Sequence, residues 1–338
     1  MKDPSAYLQK LWQRGCDYLG CEKAIMGGAM TWVSERHLVS ALSNAGAFGV
    51  LACGAMTPDL LRNEIRETQK LTQKPFGVNL IVMHPQLEEL AQVCIDEKVP
   101  HVVLAGGLPP AAIIAKLKAG GAKVMGFAPA LVIAKKLIRS GIDALVIEGS
   151  EAGGHIGPVS TFVLAQEILP EVSEVPIFLA GGIGRGEGIL ALLEMGASGV
   201  QLGTRFVCAK ECIAHPAFKQ AFLKGAAREA QASSQLDPRF PVIPVRALLN
   251  DGTRAFMDKQ REVISRFETG AVEQKAAQLE IEHFWAGALR RAVMEGDVAG
   301  GSLMAGQSVG MVSAEQPVSA ILDELINQAL AALGRRAA

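Results

Sequence analysis

Apolar residues along this chain gather into eight short runs, at residues 23–26, 48–51, 76–82, 101–104, 123–127, 143–147, 175–180 and 199–202. Each is short, rich in branched side chains and bounded by glycine, proline or polar residues, so each predicts a strand buried on both faces. Between them the apolar positions take helical spacing. Leu8, Leu11 and Trp12 mark a helix in the first twenty residues, and Ser34 is the expected N-cap of a helix through Leu42. Thr57-Pro58 opens a helix to about Leu71, and further helices are expected at 86–97, 110–118, 131–139, 162–169 and 186–195. Buried strands alternating with helices imply a parallel sheet covered on both sides. Eight of them favour a closed (β/α)8 TIM barrel over an open doubly wound sheet.

Past Leu202 the pattern changes. Residues 205–291 read as helical and more polar, interrupted by the proline-rich stretch 237–244, which is too long for one loop between a strand and a helix. The expected organisation is a barrel in residues 1–204, an inserted helical cap in 205–291, and in 292–338 a glycine-dense loop followed by an amphipathic helix that closes the barrel.

Composition narrows the class. The 338 residues are 49% hydrophobic and 5% aromatic, with 36 glycines and a net charge of −1, as in a compact α/β enzyme. No basic or acidic block suggests nucleic acid, and no apolar run reaches the ~18 residues of a membrane span. The first residues lack a signal-peptide core, so a cytoplasmic protein is expected. Six cysteines are scattered without CxxC pairs. Cys208 and Cys212 are four apart with His215 nearby, but a zinc site shows a tighter pattern and a fourth ligand, and no metal is expected.

Candidate chemistry sits on the loops after the strands. Those after the seventh and eighth strands, Ala180-Gly-Gly-Ile183 and Gly203-Thr-Arg205, offer bare backbone N–H groups ahead of a helix and a hydroxyl on Thr204, the recipe for an anion site. Gly28-Ala29-Met30 after the first strand and Asn79 at the end of the third point to the same mouth, although Asn79 could instead cap a turn. The loop after the sixth strand, Glu148-Gly-Ser-Glu-Ala-Gly-Gly-His-Ile-Gly157, places His155 among glycines. Glu148 and Glu151 flank it, either orienting His155 or meeting a ligand's hydroxyls, or simply facing solvent. A ligand touching all these loops is a flat ring ending in a phosphate, for which flavin mononucleotide (FMN) is the candidate. Met30, Met304 and Met311 either line an apolar substrate passage or fill core gaps. His37, His84, His101 and His283 have no motif around them and are expected to be surface or packing residues.

These residues carry a resemblance. Gly28-Ala-Met30 with Trp32, Lys74-Pro-Phe-Gly-Val-Asn79, Glu151-Ala-Gly-Gly-His-Ile-Gly157, Ala180-Gly-Gly-Ile183, and Gln201-Leu-Gly-Thr-Arg-Phe206 followed by His215-Pro216 resemble the flavoprotein family of nitronate monooxygenases (2-nitropropane dioxygenases) and FMN-dependent enoyl-acyl carrier protein reductases II. The resemblance implies FMN bound with its phosphate on Gly181, Gly182, Gly203 and Thr204 and its ring against Gly28 to Met30 and Gly153 to His155. Asn79, Glu148 and Gln201 join that cofactor set, His155 is the implied catalytic residue, and Met304 and Gln307 are implied substrate contacts. In the reductase, NAD(P)H reduces the flavin, which passes hydride to an enoyl thioester; in the monooxygenase, a nitronate is oxidised with O2. Acyl carrier protein, a monovalent cation and a homodimer enter as accompaniments of the family.

Three stretches favour the reductase. The loop after the fifth strand, Met125-Gly-Phe-Ala-Pro-Ala130, is apolar and lacks a lysine found in one class of monooxygenase, and residues 245–250 and 287–307 look reductase-like. Two positions depart from both branches: Gly27 stands where a glutamine is usual, and Ala29 replaces a glycine. A flavin-free phosphosugar barrel would instead show a catalytic lysine or paired carboxylates, and a flavin-binding module without activity would not need His155.

Overall fold

The computed structural model describes residues 3–285 and 287–337. Eight parallel strands form its centre: β1 (Ile25–Gly27), β2 (Val50–Ala52), β3 (Gly77–Ile81), β4 (His101–Ala105), β5 (Lys123–Phe127), β6 (Ala144–Glu148), β7 (Ile177–Ala180) and β8 (Gly199–Leu202). They lie in the order β1-β8-β7-β6-β5-β4-β3-β2. The ring closes between its ends, where Phe48 N–H donates to Ile25 O (3.0 Å) and Gly27 N–H to Phe48 O (2.8 Å). The result is a (β/α)8 barrel, and closure leaves no strand edge unpaired.

Side chains alternate in and out along each strand, and aromatic contacts identify the inner face. The Phe48 and His101 rings meet at 4.9 Å, and Tyr18, from the N-terminal helix Pro4–Leu19, touches His101 at 5.3 Å and Phe178 at 6.2 Å. These rings plug the bottom of the barrel. His101 donates from Nε2 to Tyr18 O (2.9 Å), and burial holds its pKa down at about 4, so it packs as a neutral ring. Two and more positions further up the same inward faces stand Asn79, Glu148 and Gln201; Glu148, Ala180 and Gln201 are in register across β6, β7 and β8. The polar groups inside the barrel therefore collect at its C-terminal end.

The helix Val318–Ala337 occupies the place of the eighth outer helix and packs against helix Gly186–Glu194. The approach is close: a Cβ on Gly186 would lie 1.8 Å from Leu325 O, and Gln328 Oε1 accepts from Gly186 N–H (2.8 Å), serving as a cap from another helix. Arg205 is fully buried beneath it, donating to Gln316 Oε1 (2.7 Å) and Glu324 Oε2 (2.8 Å).

The segment between β8 and this helix departs from the expected all-helical cap. Helices Asp251–Glu268 and Gln274–Phe284 are present, sharing a small core of Phe240, Phe256, Val263, Ala277 and Ile281. Strands Ala230–Ala232 and Val245–Leu248 lie beside them, and Val245–Leu248 also pairs antiparallel with Gly154–His155, the loop after β6. Three residues of strand carry no readable alternation, and the third strand is distant in sequence. Ser34 also differs from expectation. Glu35 caps helix Arg36–Asn44, accepting from His37 and Leu38 N–H, whereas Ser34 Oγ donates to Gly28 O (2.8 Å) and accepts from Met30 N–H (3.0 Å). It shapes the loop after β1 instead.

Among the described residues, no helix is long and apolar enough to cross a membrane. Because backbone lies where a Gly186 side chain would go, Gly186→Ala should destabilise the protein by about 2–3 kcal/mol, read as a lower denaturant midpoint with unchanged slope. Wild-type stability in that variant would show that the two helices separate freely.

Candidate active site

His155 owes its position to backbone pairing. Val245 sits opposite His155 and Arg246 opposite Gly154, and Ile156 N–H donates to Pro244 O (3.1 Å). The loop is closed below by Ser150 N–H to Val159 O (2.8 Å) and braced by Arg246, whose Nε donates to Ser150 O (2.8 Å) while Nη1 reaches Ala230 O. Glu151 does not meet the ligand side with the oxygen that is bound: Oε2 accepts from Thr161 N–H (2.9 Å), at the start of the next helix. Nothing in the sequence marks Arg246 as this brace, because only the small sheet brings it to the loop.

The His155 ring is exposed at the mouth, with no side-chain hydrogen bond to any described residue. Protein atoms crowding the ring nonetheless hold its pKa below the ordinary 6.5. At neutral pH it is an imidazole with one N–H donor and one lone pair, both free.

A second wall lies against this loop. Residues 304–307 run so close to it that a Cβ on Gly153 would stand 2.6 Å from Gly306 N, and a Cβ on Gly154 would stand 3.6 Å from Met304 Sδ. Gln307 N–H donates to Glu151 O (2.9 Å) and Gly306 N–H to Thr204 Oγ1 (2.9 Å). Thus Met304 and Gln307 lie beside the histidine loop, and the same strap ties that loop to Thr204.

Gly181 and Gly182 follow β7 with φ of +96° and +70°, a conformation that turns successive N–H groups toward one side. The backbone N–H groups of Gly181, Gly182, Ile183 and Gly203 take no acceptor among the described residues. Thr204 uses one lone pair on Gly306 and keeps its hydroxyl proton to donate. Met30 Sδ lies 3.4 Å from where a Gly203 Cβ would be, and Gln201 Nε2 lies 3.4 Å from the corresponding point on Gly28, so the loops after β1 and β8 meet. Ala29 lies between these two, partly buried.

Inside the mouth, Asn79 Nδ2 donates to Val103 O (3.1 Å), a brace to the neighbouring strand rather than a turn cap; its Oδ1 has no protein partner among the described residues. The Gln201 side chain is buried and makes no hydrogen bond to a described residue. Glu148, at the end of β6, is half-buried rather than solvated, and desolvation pushes its pKa up to about 8. It is a neutral acid at pH 7, able to donate a hydrogen bond.

The FMN implied by sequence resemblance fits these groups. A phosphate needs several converging N–H donors and a hydroxyl, which 181–183 and 203–204 supply; a flavin ring edge needs donors and acceptors, which Asn79, Gln201 and Glu148 leave unclaimed. Cys208 and Cys212 do not join this site. They are buried thiols held up at about 12 and about 11, and His215 Nδ1 instead caps its own helix by accepting from Ala217 N–H (3.1 Å). Among the described residues, no cluster of three or more His, Cys, Asp or Glu side chains is arranged to hold a metal.

The Glu148 shift has a consequence for stability. A carboxyl whose folded pKa lies above its unfolded value favours the folded state below about 4.5, and that contribution is lost as pH rises through about 8. In cofactor-free protein, Glu148→Gln should remove a pH-dependent part of stability on the order of 3 kcal/mol across that window. Identical stability-versus-pH curves for the two proteins would place the carboxyl in water.

A family model described as nitronate monooxygenase matches residues 14–328. A Rhodococcus jostii protein, (3aS,4S,5R,7aS)-5-hydroxy-7a-methyl-1-oxo-octahydro-1H-indene-4-carboxyl-CoA dehydrogenase, is 35% identical over 65% of this chain; the chain spans 62% of that relative's length. A nitronate monooxygenase of Paraburkholderia phytofirmans is 32% identical over 65% of this chain and 73% of its own. The structure of FabK from Thermotoga maritima superposes with a TM-score of 0.86 at 36% identity, over 95% of this chain and 97% of that one. A match over nearly the whole length establishes that the chain belongs to the nitronate monooxygenase family.

Proposed function

We propose that this protein is an FMN-dependent enoyl-thioester reductase of the enoyl-acyl carrier protein reductase II type. The observation that carries the reading is the free, neutral His155 imidazole facing a mouth whose β5 loop, residues 126–134, holds no lysine or other charged side chain. Likeness to FabK over almost the whole of both chains supports it. A flavin held here would supply hydride chemistry between NAD(P)H and the enoyl thioester.

The chain's own residues do the rest. Backbone N–H groups at 181–183 and 203, with the Thr204 hydroxyl, would hold the phosphate. Asn79, Gln201 and Glu148, with the loop Gly28 to Met30, would hold the ring. His155 donates its ring N–H to the thioester side of the substrate and delivers that proton to the α-carbon as negative charge develops there. Met304 and Gln307, on the strap beside Gly154, bound the substrate on the same side.

A second reading, oxidation of alkyl nitronates with O2 and His155 as base, is favoured by the Paraburkholderia relative. Mixing the holoenzyme with NAD(P)H and a crotonyl thioester without oxygen, and separately with a nitronate in air, separates the two. Flavin reduction followed by reoxidation by the thioester supports the reductase; oxygen uptake with the nitronate and no response to nicotinamide overturns it.

His155→Ala should retain FMN while turnover falls by about 10²-fold or more. In the wild type, the kcat/KM limb belonging to His155 should lie below pH 6.5, because protein atoms crowding the exposed ring partly desolvate it and lower its pKa. A limb above that value, or loss of FMN from the variant, would contradict this assignment.

A further inference from the structure

The six cysteines are free thiols, and two of them meet across one turn at the bottom of the barrel. Helix Pro4–Leu19 ends on Gly20, whose φ of +72° and ψ of +35° lie in the left-handed region. That glycine reverses the chain, so the N–H groups of both Gly20 (2.8 Å) and Cys21 (3.2 Å) donate to Cys16 O. A backbone bond from the residue after a left-handed glycine to the residue five before it closes a helix end in which the first and last side chains come into contact. Here both are cysteine. The two thiols share a side-chain hydrogen bond, and each also lies against a carbonyl of the chain leading into β1, Cys16 Sγ at 3.4 Å from Glu22 O and Cys21 Sγ at 3.2 Å from Lys23 O.

The other four cysteines differ. Cys53, Cys94, Cys208 and Cys212 are buried, and desolvation pushes each of their thiols up, away from the reactive thiolate. Cys16 moves the opposite way, because the Cys21 thiol donates to it and favours its charged form. Cys21 is only half-buried, which brings a small solute to the pair. The turn also seats the plug of the barrel: Tyr18 stands between the two cysteines, and its carbonyl accepts from His101 Nε2 (2.9 Å) and Lys123 Nζ (2.5 Å).

We propose that Cys16 and Cys21 form a redox modification site, at which a peroxide converts the two thiols into a disulfide across the turn that carries Tyr18. One sulfur attacks a peroxide oxygen; an S–O bond forms, the O–O bond breaks and one water leaves. The second sulfur then displaces the hydroxyl of the resulting sulfenic acid, an S–S bond replaces the S–O bond, and the hydroxyl departs with the remaining thiol proton as a second water. The two sulfurs give up two electrons and hydrogen peroxide takes them. A disulfide requires side chains that already face one another, which thiols sharing a hydrogen bond do. The site lies at the end of the barrel away from the mouth, so it holds whichever substrate the mouth takes.

The test treats the full-length, FMN-loaded protein with hydrogen peroxide, alkylates the remaining thiols and maps them by mass spectrometry. Two of the six thiols should vanish together, leaving a tryptic peptide 15–23 lighter by two hydrogen atoms and restored by dithiothreitol. This should run about tenfold faster or more than oxidation of the other four cysteines. The linked protein should unfold at a higher urea concentration than the reduced one, because a closed loop restricts the unfolded chain. Neither C16S nor C21S should form a link or show that shift, and the wild-type peptide decides the matter even if a variant folds poorly. Oxygen gained at Cys16 or Cys21 without a link, a link forming first between other cysteines, all six thiols surviving, or equal urea midpoints for the two wild-type forms overturns the proposal.

Discussion

Antiparallel pairing between Gly154-His155 and Val245-Arg246 is the constraint on which the site depends. A glycine-rich loop ten residues long has little reason to hold one shape, since its backbone groups would otherwise be satisfied by water. Here a strand from a segment some ninety residues later supplies those partners, and Arg246 adds a side-chain hydrogen bond to the base of the loop. From the other side, residues 304–307 press against it closely enough to forbid a Cβ at Gly153. Two remote segments therefore convert a flexible connector into a fixed mount for one imidazole. The same strap reaches Thr204, so the histidine loop and the start of the helix after β8 share one frame.

Burial then sets the electrostatics. Glu148 is driven toward its neutral acid and His155 toward its neutral base, and neither shift involves a charged partner. The N–H groups at 181–183 and 203, which take no acceptor among the described residues, add a positive field at one side. Such an arrangement favours an anionic group at one side and uncharged substrate matter elsewhere. It also leaves the imidazole N–H unengaged by any carboxylate among the described residues.

The barrel was legible because each of its strands is an uninterrupted apolar run, and burial on both faces leaves no other reading for eight such runs between helices. Gly181, Gly182 and Gly203 were legible as positions of bare backbone, since the sequence shows missing side chains directly, and their N–H groups take no acceptor among the described residues. Asn79 was seen as a polar strand end but not as a brace to Val103, which lies on another strand. Ser34 and Glu35 illustrate a choice between adjacent capping residues that only the hydrogen bonds to Gly28 and Met30 resolve. The strands Ala230–Ala232 and Val245–Leu248 were hidden, being short and paired with a loop far away in sequence. Glu148 was hidden in another sense: its letter suggests a charge, and only its inward register on β6 shows why it carries none at neutral pH.

The claim that His155 acts on the substrate and not on the cofactor can be tested by resolving the two half-reactions without oxygen. Wild-type protein and His155→Ala are each loaded with FMN, reduced by NAD(P)H in a rapid-mixing experiment, and then mixed with an enoyl thioester. The account predicts equal rates of flavin reduction and a reoxidation by thioester slowed about 10²-fold in the variant. Equal reoxidation rates in the two proteins, or a variant slowed only in the reduction by nicotinamide, would contradict it.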